Sequence, residues 1–140
     1  MESFDRVRSS FARQTFLRSL GATLGNIAPG LVEVVLPASA SILNGHGGIH
    51  PAAIAAILDA ACTNAALTTV GSDRDVVTVE SKTNYLQPAQ GERLVAVGRV
   101  LRAGLPLVIC TAEVHAVQGG RQRLVCAMQA TLMVESRAAA

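Results

Sequence analysis

Along the chain, apolar positions change period twice. Phe4, Val7 and Phe11 recur at helical spacing with Asp5, Arg6, Arg8 and Arg13 between them, which predicts an amphipathic helix over residues 3–19. Gly21 and Gly25 interrupt it. Residues 31–36 read as a short strand ended by Pro37, paired with residues 22–28 across the turn signal Pro29-Gly30. Gly45, Gly47 and Gly48 make the next stretch a loop with wide backbone freedom. His50-Pro51 then opens a long helix, because Pro is favoured at the first helical position, where its missing N–H has no intrahelical partner. Apolar residues continue to Val70, and Gly71 stops the helix. Beyond Asp73 the period is two. Val108, Cys110, Ala112, Val114 and Ala116 alternate with Thr111, Glu113 and His115, and Leu124, Cys126, Met128, Ala130, Leu132 and Val134 repeat the pattern after the hairpin signal Gly119-Gly120. With residues 76–86 and 93–101, four consecutive strands follow the long helix. Their short connections predict antiparallel neighbours.

One helix that is apolar all round and a sheet of about six strands predict an α+β domain in which the sheet curls around the helix, with the N-terminal helix beside it. A helix with two apolar sides and one sheet to cover it needs a second cover. The small residues Ala52, Ala53, Ala55, Ala56, Ala60 and Ala61 point to another helix, most simply the same helix of a symmetric partner. The chain of 140 residues has room for one such core, so residues 1–140 are expected to form a single domain, with the terminal Ala138-Ala139-Ala140 disordered.

Composition narrows the function classes. Half of the residues are apolar and only 3% aromatic, so the core is built from closely packed small aliphatic side chains. Net charge is +2, and eleven of the twelve basic residues are Arg, scattered along the chain, which argues against a nucleic-acid surface. The arginines between Arg93 and Arg123 have two readings, a phosphate-bearing ligand or solvated strand faces. Cys62, Cys110 and Cys126 lie far apart and suggest neither a disulfide framework nor a zinc site, so reduced thiols and no metal are expected. The segment 51–70 is long enough to span a bilayer, but an Asp near its centre costs about 2.5–3.5 kcal/mol on insertion scales. A buried helix is the expectation. The N-terminal residues lack a secretory apolar run, and a cytoplasmic location is expected.

Asp59 is the only ionised side chain between Gly45 and Ser72. On an apolar helix a carboxylate is costly unless bonded, paired or reached by water. A wet groove or a distant Arg explains it structurally; a functional acid explains it as well, since such carboxylates gather at working sites. Asn44 stands six residues before His50, and His50 nine before Asp59. That order of polar loop, helix start and mid-helix acid resembles the hot-dog-fold thioesterases of the phenylacetate-degradation type, in which Asn, a His-Gly-Gly at the helix start and a downstream Asp recur at these spacings. Thr78-Val79-Glu80, Asn84-Tyr85-Leu86-Gln87-Pro88-Ala89, Gly98-Arg99-Val100 and Arg102-Ala103-Gly104 extend the resemblance over nearly the whole chain. His46-Gly47-Gly48 imitates the triplet but stands thirteen residues before Asp59; neither His46 nor His115 is expected to take part.

The resemblance implies a hot-dog fold and hydrolysis of an aryl- or fatty-acyl-CoA without a cofactor, by homodimers that pair into tetramers. The acid and the helix N-terminus would come from opposite subunits. Asp59 would attack the thioester or activate water, His50 and Asn44 would orient the thioester or support the leaving thiolate, and Thr78 would position water. The same residues also have structural readings: His50 as a helix cap, Asn44 in a turn, and Thr78 on a solvated face with Glu80 and Lys82. One departure bears on the chemistry. In the family the residue after the histidine donates its backbone N–H to the thioester oxygen, and Pro51 has none; loss of such a donor costs about 2.7–4 kcal/mol in the transition state. Either Ala52 N–H or a glycine N–H of the loop 45–48, such as that of Gly48, then takes its place, or the chain binds acyl-CoA without cleaving it. A hydratase or dehydratase on the same fold is a third reading.

Overall fold

The computed structural model describes residues 2–137; the terminal alanines 138–140 lie outside the described residues. The elements in chain order are α1 (Glu2–Ala12), α2 (Thr15–Leu20), β1 (Thr23–Ala28), β2 (Leu31–Pro37), a 3-10 turn (Ala40–Ile42), α3 (Pro51–Leu67), β3 (Arg74–Tyr85), β4 (Arg93–Arg102), β5 (Leu107–Gln118) and β6 (Arg121–Ser136). The single N-terminal helix expected over 3–19 is two helices. Phe11 and Leu17 are both buried, yet in one straight helix they would stand about 120° apart around the axis. A break at Arg13-Gln14 lets both reach the core. Gly21 then closes α2 with φ 86, its N–H donating to Arg18 O, a conformation glycine adopts without strain.

Six antiparallel strands form one sheet in the order β1-β2-β4-β5-β6-β3. The expectation that the four late strands lie side by side in chain order holds for β4, β5 and β6 but not for β3, which pairs with β6. Helix α3 carries the chain across the face of the sheet, so β3 begins at the edge remote from β2, and β4 returns to pair with β2. The sheet curls around α3, which touches every strand from β2 to β6. Ile54, Ile57, Leu58 and Ala61 of the helix meet Leu36, Leu94, Val108, Val114 and Leu132 of the strands in one buried cluster. The closest approach is at Gly98 on β4, where a side chain would collide with the α3 backbone at Ala61. This is the hot-dog arrangement, with α1 and α2 packed on one flank of α3.

A bulge at Val79 changes how β3 presents its side chains. Thr78 pairs with Leu132, but the next paired residue is Glu80, opposite Thr131. Alternation therefore restarts after Val79. Thr78, Ser81, Thr83 and Tyr85 oppose the buried residues Leu132, Ala130, Met128 and Cys126 and share the helix-facing side, while Glu80, Lys82 and Asn84 face outward. The expected common face of Thr78, Glu80 and Lys82 is thus corrected. The far side of β3 has no strand partner among the described residues. Among the described residues no helix is long and apolar enough to cross a membrane.

Candidate active site

Asp59 lies on the side of α3 turned away from the sheet core and is exposed, between the buried Leu58 and Ala60. Its position needs no neutralising cation, because water reaches it. Thr78 reaches it from β3: the hydroxyl donates to Asp59 Oδ1 at 2.7 Å. The second carboxylate oxygen has no hydrogen-bond partner among the described residues, which leaves a lone-pair-bearing oxygen free beside an open pocket of about 220 Å³. That pocket lies between α3 and the α1–α2 corner, lined by Phe16, Leu17, Ala56, Ala60 and Asn64 together with Asp59. Asn64 is buried, and its Oδ1 has no partner while its amide donates to Ala60 O at 2.8 Å.

A second cluster forms at the start of α3. Asn44 Oδ1 accepts from His46 N–H at 2.8 Å and Gly48 N–H at 3.1 Å, and Asn44 N–H donates to Gly48 O at 2.7 Å. The asparagine thereby closes the loop 45–48, in which Gly47 has φ 83. His50 is the N-cap of α3: its Nδ1 accepts from Ala52 N–H at 2.9 Å. Accepting at Nδ1 puts the proton of the neutral ring on Nε2. His50 is exposed, so this Nε2–H is available as a donor at the helix N-terminus.

The two backbone donors named as replacements for Pro51 are both engaged within the chain, Ala52 N–H with His50 and Gly48 N–H with Asn44. Ala53 and Ile54 N–H both donate to His50 O. Pro51 itself has no N–H, so the first turn of α3 presents no unengaged backbone donor. Gly45 and Gly47 N–H, farther out in the loop, have no acceptor among the described residues.

Within one chain the clusters stay apart. Pro51 and Asp59 are separated by about 12 Å along the helix at 1.5 Å per residue, too far for both to touch one thioester carbonyl. The other candidates fall outside both groups. His115 is half-buried on β5 opposite Val95, and the five arginines from Arg93 to Arg123 are exposed. Cys62 stands one turn beyond Asp59 but is fully buried. The adjoining Cys110 thiol and burial push its thiol far above the ordinary value, so it is no nucleophile. No group of three potential metal ligands occurs among the described residues.

Comparison with known proteins settles the family. A sequence model of the thioesterase superfamily matches residues 46–122, from the polar loop to the last hairpin. The chain belongs to the thioesterase superfamily. A thioesterase family protein from Silicibacter pomeroyi has 36% identity and a TM-score of 0.94, over 96% of this chain and 99% of that one. The medium/long-chain acyl-CoA thioesterase YigI of Escherichia coli is 29% identical over 98 residues, which are 64% of this chain and 61% of that protein. The chain therefore spans under two thirds of that relative's length. The PaaI protein of the Escherichia coli phenylacetic acid degradation operon is similar in fold, with a TM-score of 0.82 at 18% identity over 94% of this chain and 91% of that one. Asp59, Thr78 and the α3 N-terminus all lie within the segment that the thioesterase superfamily model matches.

Two features of this site had no counterpart in the sequence reading. Tyr85 rests against the helix start, its hydroxyl donating to Pro51 O at 3.4 Å, and Asn64 lines the pocket beside Asp59. Tyr85 stood only within a segment of family likeness, and an Asn among alanines on an apolar helix carries the same kind of signal as Asp59.

Proposed function

We propose that this thioesterase hydrolyses acyl-CoA thioesters, with aryl or fatty acyl groups, to the free acid and CoA, using Asp59 as base or nucleophile. The observation that carries this reading is the hydrogen bond from Thr78 to Asp59 Oδ1. It orients the carboxylate and keeps one oxygen for chemistry. As a general base, that oxygen takes a proton from water while the water oxygen bonds to the thioester carbon. The tetrahedral adduct then expels the CoA thiolate, which recovers the proton. As a nucleophile, the carboxylate bonds to the acyl carbon, the thiolate leaves, and water hydrolyses the resulting anhydride. The relationship to the Escherichia coli acyl-CoA thioesterase supports CoA as the leaving thiol.

The site needs two copies of the chain. Asp59 and the α3 N-terminus are too far apart within one, and the open edge of β3, twelve residues long, is a template for antiparallel pairing. A two-fold axis near Ser81 and Lys82 sets Thr78 of one copy opposite Tyr85 of the other. Each Asp59–Thr78 pair then approaches the helix start of the neighbouring copy, and the side of α3 with the exposed Ala52 and the half-buried Ala55 and Ala56 gains a cover. Asn44 and His50 act there on the thioester or the departing thiolate. Three free cysteines and a CoA substrate fit a cytosolic location.

Pro51 and the engaged Ala52 N–H favour one competing reading, a protein that holds acyl-CoA uncleaved. Thiol release from a panel of aryl- and fatty-acyl-CoAs separates the two. Hydrolysis is expected from the native chain, with a loss of at least a thousandfold in Asp59→Asn. Full activity in that variant refutes the assignment of Asp59, and calorimetric binding without turnover supports the competing reading.

A further inference from the structure

We infer that the hydroxyl of Tyr85 is a catalytic hydrogen-bond donor to the thioester oxygen, replacing the backbone N–H that Pro51 cannot supply. The inference rests on the thioesterase reading and adds a residue to it. Negative charge develops on the carbonyl oxygen as the tetrahedral adduct forms, and a donor held at that position lowers the barrier. In the first turn of α3 every backbone donor is absent or engaged, so the donors left at the helix start are side chains.

Tyr85 is placed for this by three observations. It is the last residue of β3, and its hydroxyl stands 3.4 Å from Pro51 O, on the first residue of α3, whose nitrogen carries no N–H. That contact is longer than a normal O–H···O bond, so it gives way readily to a stronger acceptor. Tyr85 is also half-exposed, at 50%, which lets a substrate reach it, and burial of part of the ring pushes its phenol above the ordinary value, with the nearby Cys126 thiol adding to the effect. The hydroxyl therefore keeps its proton at neutral pH.

The third observation is the face it occupies. The Val79 bulge puts Tyr85 on the same helix-facing side of β3 as Thr78, so the residue that holds the acid and the residue beside the helix start line one surface. When two β3 edges pair about Ser81 and Lys82, Tyr85 of one copy lies across from Thr78 and Asp59 of the other. The Nε2–H of His50 is the second donor at the same helix start, its ring fixed by the bond from Ala52 N–H. The free N–H groups of Gly45 and Gly47 belong to an exposed loop tip and lack this relation to β3.

The test is a cycle of Tyr85→Phe and Pro51→Gly in the full chain, assayed by thiol release from octanoyl-CoA and phenylacetyl-CoA. Tyr85→Phe is expected to lower kcat about a hundredfold, the low end for one oxyanion donor, with KM within twofold. Pro51→Gly restores an N–H at the first helical position, so Tyr85→Phe should cost no more than about fivefold in that background. Native kcat in Tyr85→Phe, or the same loss in both backgrounds, overturns the inference.

A second readout does not depend on turnover. In Asp59→Asn loaded with octanoyl-CoA labelled with ¹³C at the carbonyl, the infrared carbonyl band should lie below its position in water and move back when Tyr85→Phe is added. An unmoved band overturns the role of Tyr85. If the native chain cleaves no thioester while Tyr85→Phe still moves the band, the hydrolase reading fails and the donor assignment stands; absence of binding refutes both.

Discussion

Gly98→Ala tests how closely α3 is seated in the sheet. A Cβ on residue 98 would stand 2.4 Å from both C and O of Ala61 and 2.8 Å from Cys62 N, whereas ordinary contact begins at 3.4 Å. All three atoms belong to the helix backbone, so no side chain can swing aside. Helix α3 must retreat from β4 by about 1 Å, and overpacking that moves backbone costs about 1–3 kcal/mol, with this case at the upper end. The lower entropy of Ala in the unfolded chain offsets about 0.5–1 kcal/mol. A net loss of about 2 kcal/mol leaves a folded protein, since domains of this size have about 5–15 kcal/mol in hand. Urea unfolding followed by circular dichroism should show the loss as a lower midpoint at unchanged slope. Gly45→Ala is the control: its added Cβ meets nothing within 4 Å, and its stability should stay within about 0.5 kcal/mol of the native value. Because Asp59 stands two residues from Ala61 while Thr78 is on β3, Gly98→Ala should also reduce thiol release. A stability loss below about 0.5 kcal/mol for Gly98→Ala refutes the close seating of α3 on β4.

The hydrogen bond to Asp59 and the buried thiols set two more outcomes. Thr78→Val removes the donor to Asp59, and since hydrogen bonds to charged groups contribute about 1.5–3 kcal/mol, kcat for acyl-CoA hydrolysis should fall roughly ten- to a hundredfold while the folded structure, read by circular dichroism, is retained; an unchanged kcat would remove Thr78 from the site. Burial raises the Cys126 thiol from 9.0. The folded chain therefore holds a proton that the unfolded chain releases, so stability is complete below pH 9.0 and declines as pH rises beyond it. Urea midpoints should fall between pH 8 and pH 10.5, less steeply in Cys126→Ala, and equal slopes in the two proteins would deny the thiol its part.

The elements with a local period were legible in the sequence. The alternation of Val108 to Ala116 and of Leu124 to Val134 located β5 and β6, and Gly119-Gly120, with φ 56 and 78, made the expected hairpin turn. Pro51 and Gly71 bracketed α3 to within a turn of its observed end at Leu67. What had no local signal was settled over long distances. Nothing near Arg74 indicates that β3 pairs with β6 rather than β4, because the order depends on where α3 delivers the chain. The double burial of Phe11 and Leu17, which breaks the N-terminal helix, likewise follows from the core they share.

The site shows the same division. Asp59 was visible because a lone charge interrupts an otherwise apolar helix, and Pro51 because it lacks a donor in any fold. Thr78 was named only through the family resemblance and Tyr85 not as a site residue, because their joint placement depends on one residue between them. They are seven positions apart, and in a regular strand an odd separation puts two side chains on opposite faces. Counting from the sequence therefore sets Thr78 with Glu80 and Lys82, away from Tyr85. The bulge at Val79 inserts the extra residue that reverses the alternation, and no Gly or Pro marks it. The bulge turns Thr78 and Tyr85 to the same side of β3, one against Asp59 and the other against Pro51. A two-fold pairing of that strand can then bring acid and donor to opposite sides of a single carbonyl.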